Sequence, residues 1–219
     1  MRLVSAVLAR NEEGRYLERV LASLSLFSDQ ILVLDDHSTD KTYDIAVNCP
    51  KAIAKHRPTA DAAWGAESSA RQELWERGAK LAKDGWLLIC DSDMILHGDP
   101  RPLCLSWECT SWAWTLRDLW DGEDTYRVDG PWGIGPQAAR PWLFKPSACP
   151  SPQWSGRGIH SFHAPLNFPG PCFQAPTSIF WLHYAYLTRA QREKKCAQYM
   201  SIKEQLTPFE LQHASSIVD

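Results

Sequence analysis

Asp91-Ser92-Asp93 closes the apolar run WLLIC at residues 86–90, and Met94, Ile95 and Leu96 follow it. Two carboxylates one residue apart repel each other unless a cation lies near both, and hard oxygen donors favour Mg²⁺ or Mn²⁺ over zinc. A divalent ion held there is placed to clamp a diphosphate. Taken alone, the pair fits a strand-ending turn with solvated acids equally well, so its meaning depends on what else reaches the same place. Two other polar clusters have the same form. Arg10-Asn11-Glu12-Glu13-Gly14 follows the apolar stretch LVSAVLA, and Asp35-Asp36-His37-Ser38-Thr39-Asp40 follows QILVL.

The segments between these clusters read as alternating strands and helices. Residues 3–9 and 30–34 are short, Val- and Leu-rich strands. Leu17, Val20, Leu21 and Leu24 recur at i, i+3, i+4 and i+7, the apolar stripe of a helix of about three turns. Thr39 or Asp40 is suited to cap a helix starting near Thr42. A third strand is expected over 52–55. Residues 66–83 line up Ala70, Leu74, Gly78 and Leu81 on one side and charges on the other, a long amphipathic helix feeding the central strand that Asp91-Ser92-Asp93 ends. This β-α-β-α-β-α-β order predicts an α/β protein with a Rossmann-like, mostly parallel central sheet flanked by helices and right-handed crossovers. In such a sheet ligands bind beyond the carboxyl ends of the strands, so the three polar clusters should share one rim.

Composition bounds the partners. A chain of 219 residues with 44% hydrophobic and 22% charged residues fills one core and is short for two. The net charge of −3 argues against broad electrostatic capture of nucleic acid. Seven cysteines form no C-x-x-C pair, a pattern that suits a reducing compartment. No stretch reaches the roughly 18 apolar residues of a membrane span, and the first strand begins almost at Met1. The expectation is a soluble, unexported, cytoplasmic protein with no stable membrane insertion.

In this order and at these intervals, the runs AVLARNEEGRYLERVL, ILVLDDHSTDKT, SSARQELWERGAK and WLLICDSDMIL resemble the family 2 glycosyltransferases of the GT-A fold, over residues 3–96. The resemblance implies that Ala9, Arg10, Asn11, Glu12 and Asp36 hold the base and ribose of a nucleotide sugar. It places Arg71 near the uracil or the phosphates and Asp91 and Ser92 against the donor, with Asp91 and Asp93 carrying Mn²⁺ or Mg²⁺. The residue chemistry agrees. A carboxylate at Asp36 accepts hydrogen bonds from a base N–H, and the Arg71 guanidinium is a fixed positive fork for phosphate or carbonyl oxygens. Each residue alone also serves as an ordinary turn or a solvated helix charge.

The second half differs in composition. Ten of the fifteen prolines fall between Pro131 and Pro176 among Trp132, Trp142 and Trp154, so loops held by aromatic contacts are expected. Residues 111–116 (SWAWTL) and 139–144 are expected strands, one of them antiparallel. Between them lie Asp118, Asp121, Glu123, Asp124 and Asp129, any of which can face an acceptor pocket. Trp154 to His160 resembles the tryptophan–glycine–isoleucine–histidine stretch of bacterial family 2 enzymes that build lipopolysaccharide cores. There a glutamate commonly follows the histidine; here Ser161 does, which leaves the catalytic base open among Asp129, Asp118, His160 and His163. His183 sits inside the aromatic run SIFWLHYAYL and resembles the histidine that completes the metal site of many GT-A enzymes, with His160 as the alternative. A basic helix from Arg189 to about Gln205 carries Arg192, Lys194 and Lys195, a solvated face or a phosphate contact, and a peripheral helix or tail follows from Pro208.

The combined expectation is one GT-A domain over residues 1–219. Residues 1–100 form the nucleotide-sugar half, and 101–219 a loop-rich acceptor half with a C-terminal helix. The expected activity is metal-dependent, inverting transfer of a sugar from a UDP-sugar to an acceptor hydroxyl, as in hexosyltransferases. A nucleotidyltransferase is a competing class, but no glycine-rich phosphate loop follows the first strand. A nucleotide- or glycan-binding module without turnover is the other. The acceptor stays open among a glycan, a lipopolysaccharide core, a peptide, a small molecule and a hydroxymethylated base of phage DNA. The last would use the tryptophan-rich loops for stacking.

Overall fold

The computed structural model describes residues 1–57, 67–154 and 163–218. The chain opens with β1 (Leu3–Ala9), α1 (Leu17–Ser25), β2 (Gln30–Asp35), α2 (Thr42–Val47), β3 (Ala52–His56), α3 (Glu67–Ala82) and β4 (Trp86–Asp91). β1 pairs in parallel with both β2 and β4, and β2 pairs in parallel with β3. The expected alternation is therefore present, and strand order 3-2-1-4 reverses direction at β1, the topological switch where open α/β sheets form their crevice. Leu17, Val20, Leu21 and Leu24 are all buried, as their spacing requires. On the other face α3 packs over β1, and its close approach depends on Gly78. A Cβ there would lie 2.7 Å from Cδ1 of Leu87.

Several boundaries differ from expectation, each for a reason of pairing or capping. β3 runs one residue further, to His56, because Asp35↔His56 continues the ladder. α3 ends at Ala82, where Lys83 takes a left-handed backbone with φ 54°. Lys41 occupies the cap position of α2, while the Asp40 carboxylate accepts hydrogen bonds from Thr42 N at 3.0 Å and Thr42 Oγ1 at 2.5 Å.

The stretch 86–96 holds a strand on each side of the acids. β4 stops at Asp91, the chain turns through Ser92 and Asp93, and β5 (Met94–His97) enters a different sheet. SWAWTL divides in the same way into β6 (Ser111–Trp114) and β7 (Leu116–Asp118), on either side of Thr115. The rest of the chain supplies β8 (Arg140–Phe144), β9 (Cys172–Gln174), β10 (Phe180–His183), α4 (Arg189–Met200) and α5 (Pro208–Ser216). α4 is shorter than expected. It ends at Met200, and Lys203–Gln205 form a separate short 3-10 turn.

Both halves contribute to one seven-stranded sheet, ordered β3-β2-β1-β4-β8-β6-β9, in which β8 runs antiparallel to β4 and β6. A second, three-stranded sheet, β5-β10-β7, lies at the carboxyl end of β4. Trp132, Tyr186, Tyr199 and Ala214 form a buried cluster that seats α4 and α5. All seven cysteines are free thiols.

Candidate active site

The first two polar turns are tied to each other. Asn11, at φ 54°, donates from its backbone to Ser38 Oγ (3.0 Å), and its side-chain oxygen accepts from Thr39 N (2.9 Å). Glu12 N donates to Thr42 Oγ1 (2.6 Å), and Glu13 N to Asp40 (3.0 Å). Asp36 N donates to Ala9 O (2.8 Å), so the ends of β1 and β2 lie side by side. The third turn follows from register: Leu8 on β1 faces Asp91 on β4. The three acidic clusters thus end adjacent parallel strands on one rim.

Asp36 is held by two arginines. Arg57 Nη1 is 2.6 Å from its Oδ1, and Arg10 Nη1 is 3.8 Å from its Oδ2. Arg57 also reaches Ser69 and Glu73 on α3, so Asp36 is braced from beneath. Arg57 is absent from the sequence-derived set. Its position just past β3, at the same rim as the other strand ends, was the available signal. Asp35, the neighbour of Asp36, is turned inward onto His56 at 2.8 Å.

Arg71, projecting from α3, lies with Nη2 2.5 Å from Asp91 Oδ1, and His163 Nε2 is 3.4 Å from the same oxygen. Burial alone would raise the Asp91 pKa. The Arg71 and His163 charges overcome it and hold the carboxyl well below the usual range. Ser92 is buried between the two acids.

Asp93 meets His183 through the small sheet. Tyr184 N donates to Asp93 O (2.9 Å) and β10 pairs His183 with Met94 of β5, which brings His183 Nε2 to 3.5 Å from Asp93 Oδ1. The other ring nitrogen, Nδ1, is 2.6 Å from Asp118 Oδ1. Burial works against the charged imidazole, but the Asp93 and Asp118 carboxylates outweigh it and push the His183 pKa up to about 10. Asp93 itself is lowered despite burial, chiefly by His183, with Lys195 of α4 adding a smaller pull. That influence of Lys195 was not foreseen, since its spacing on a basic helix suits solvent equally well.

Glu12 completes the rim. It is 5% exposed, and burial raises its pKa to about 7, with Asp93 pushing the same way and Arg15, at 3.0 Å, opposing. Its Oε2 is buried with no hydrogen-bond partner in the structure. A buried carboxylate that has only Arg15 and the Ser92 hydroxyl to offset Asp93 and Asp40 marks a place where positive charge fits.

The four base candidates fall in different surroundings. Asp118 faces His183 instead of an open pocket, and His163 faces Asp91 while its ring lies 4.6 Å from that of Trp142. Asp129 is two-thirds exposed and paired with Arg127 at 2.7 Å. His160 lies outside the described residues. Two of the other loop acids are also engaged: Glu123 forms a two-pronged pair with Arg19 of α1 at 2.9 and 2.8 Å, and Asp121 pairs with Arg192 of α4 at 2.7 Å.

Asp93 and His183 are an oxygen and nitrogen pair suited to Mn²⁺ or Mg²⁺. Two ligands sharing one Mg²⁺ or Mn²⁺ lie roughly 3 to 4 Å apart, as Asp93 Oδ1 and His183 Nε2 do at 3.5 Å. Asp91 adjoins them but is turned to Arg71 and His163, and among the described residues no three His, Cys, Asp or Glu side chains converge at ligating distance.

Fold and site together define an open α/β protein with an acidic crevice at its switch point. Residues 6–101 match the profile of Glycosyl transferase family 2. An uncharacterised protein of Mycobacterium tuberculosis and one of Mycobacterium bovis are each 36% identical over 102 residues, 45% of this chain and 25% of theirs. The chain spans about a quarter of the length of these curated relatives. Among solved structures, glucosyl-3-phosphoglycerate synthase of M. tuberculosis in complex with Mn²⁺, UDP and glucosyl-3-phosphoglycerate is similar. It is 24% identical, with a TM-score of 0.39, covering 56% of this chain and 45% of that one. The same synthase with Mg²⁺ and UDP gives 22% identity and a TM-score of 0.36, covering 54% and 43%.

Proposed function

We propose that this chain is a metal-dependent, inverting glycosyltransferase that moves a sugar from a UDP-sugar to an acceptor hydroxyl. The observation that carries the reading is that Glu12, Asp91 and Asp93, all inside the segment that matches family 2, end neighbouring strands on one rim, with His183 of β10 3.5 Å from Asp93. In this reading Asp91, Asp93 and His183 hold Mn²⁺ or Mg²⁺. When bound, such an ion supplies Lewis-acid stabilisation of the departing diphosphate.

The remaining work falls to the protein's own groups. The backbone of Ala9 to Glu12 and the carboxylate of Asp36 line the base and ribose, with Arg10 and Arg57 fixing where Asp36 points. Arg71 is the near cation for the donor phosphates, and Ser92 stands between the two acids. The nucleotide side is thus built by residues 1–100, and the acceptor side falls to 101–219. Inversion follows when the acceptor oxygen attacks the anomeric carbon from the face opposite the diphosphate. Among the described residues no helix is long and apolar enough to cross a membrane.

The test is turnover with a panel of UDP- and GDP-sugars plus Mn²⁺, offered glycan, lipopolysaccharide-core, peptide, small-molecule and modified-DNA acceptors. Transfer, or hydrolysis without acceptor, is expected for a UDP-sugar. Saturable binding without either would make the chain a binding module. Steep loss of transfer with rising salt would single out the DNA acceptor.

A further inference from the structure

We infer that Asp118 is a positioning residue, which holds the His183 ring so that Nε2 is presented beside Asp93. The inference rests on the proposed metal centre and concerns a residue outside its ligand set. Asp118 and His183 are register partners on the parallel pair β7 and β10. Leu119 N donates to His183 O at 3.0 Å, which locks the two strands next to the contact. The Oδ1 to Nδ1 distance is 2.6 Å, and both side chains are only 13% exposed. The edge of Tyr186 closes a further side of the ring, with centroids 5.4 Å apart at 87°.

An imidazole has two nitrogens, and a carboxylate fixed on Nδ1 requires the N–H to be there, leaving Nε2 as the available donor atom. It also makes a flip of the ring costly, since a flip would put carbon against both acids. Carboxylates placed in this way behind a ligating histidine set its orientation and basicity. The same contact separates Asp118 from the role of base. A base must come within about 2.6–3.2 Å of the acceptor's proton-bearing oxygen, whereas Asp118 is 13% exposed and its Oδ1 is engaged by His183.

Mn²⁺ binding, read directly from the electron paramagnetic resonance signal of free Mn²⁺, tests this in the full chain. Asp118→Ala is expected to weaken Mn²⁺ binding by about 10- to 100-fold. Asp118→Asn retains an oxygen that accepts from Nδ1–H. It is expected to bind Mn²⁺ within about fivefold of the parent and, at saturating Mn²⁺, to keep kcat within the same range. Unchanged Mn²⁺ affinity in Asp118→Ala overturns the inference while leaving the metal centre standing. So does a loss of about 10²- to 10⁴-fold in kcat for Asp118→Asn at saturating Mn²⁺, the mark of a lost base. Should Asp118→Ala fail to fold, the Asp118→Asn measurements decide alone. A parent protein that binds no Mn²⁺ at all removes the proposed function itself, and the inference with it.

Discussion

Arg71 Nη2 and Asp91 Oδ1 lie 2.5 Å apart, joining α3 to the end of β4, with Arg71 nearly buried and Asp91 about a quarter exposed. The pair does two things. It pins the helix that covers the sheet to the strand that carries the acids, and it holds a guanidinium against the first acid of the rim. Removing one partner of a buried pair leaves the other desolvated and unpaired, a loss of about 3 to 5 kcal/mol when burial is complete. With Asp91 part-exposed and His163 still beside it, Arg71→Met should cost roughly 2 to 3 kcal/mol. Urea unfolding of the metal-free protein measures this, and a change under about 0.5 kcal/mol would show that the pair has no structural role.

Glu12 gives a pH signature. Its folded pKa of about 7 exceeds the ordinary value of 4.5, so the folded state binds the extra proton. The resulting stability is fully present below pH 4.5 and is lost as pH rises through 7. The whole span is of the order of 3 kcal/mol. Stability of the metal-free protein should therefore fall between pH 5 and 8, and Glu12→Gln should flatten that fall. If the two proteins show parallel curves over this window, Glu12 is not the buried acid described.

The N-terminal half was legible because its signals are local. The Leu17–Val20–Leu21–Leu24 stripe fixes one helix face, and each strand end is a change from apolar to polar residues. Parallel pairing then places those ends on one rim without further information. The small sheet was not legible, because SWAWTL shows no break where the chain crosses from one sheet to the other, and the acids after WLLIC mark the end of β4 but not the sheet that Met94 enters. Those crossings are set by partners far away in sequence: β10 takes β5 on one side and β7 on the other. The role of Asp118 was hidden for the same reason, since it depends on a strand 65 residues later. Arg57 and Lys195 follow neither periodicity nor motif, and become visible only once the rim is assembled.

Asp93→Ala should leave the fold intact and remove metal-dependent turnover. Asp93 brings its side chain only to the site, with His183 as its partner at 3.5 Å, and loss of one acid relieves repulsion from Asp91 and Glu12. Far-ultraviolet circular dichroism should therefore be unchanged. Turnover with a UDP-sugar and Mn²⁺ should fall by at least about 10²- to 10³-fold, the scale of losing one electrostatic stabiliser of the departing charge. Retained activity in the folded variant would mean that the reaction does not pass through this site.

The last comparison separates Asp129 from His163. Arg127 holds the Asp129 carboxyl below its ordinary range by a direct hydrogen bond, on the open surface. A base needs an affinity for the proton it removes, and an arginine-paired carboxylate in full solvent has little. Asp129→Asn should leave kcat within about threefold of the parent, below the 10²-fold minimum typical of a lost base. His163 touches Asp91 from the side of β8, where its ring lies against Trp142. His163→Ala removes one of the two side chains that hold Asp91 in place, so its effect should reach Mn²⁺ binding as well as turnover. Titrating each variant with Mn²⁺ distinguishes the roles. A kcat loss at saturating Mn²⁺ with unchanged affinity makes His163 the base, a loss recovered by added Mn²⁺ makes it a support of Asp91, and a large kcat loss in Asp129→Asn returns the base to the loop after β7.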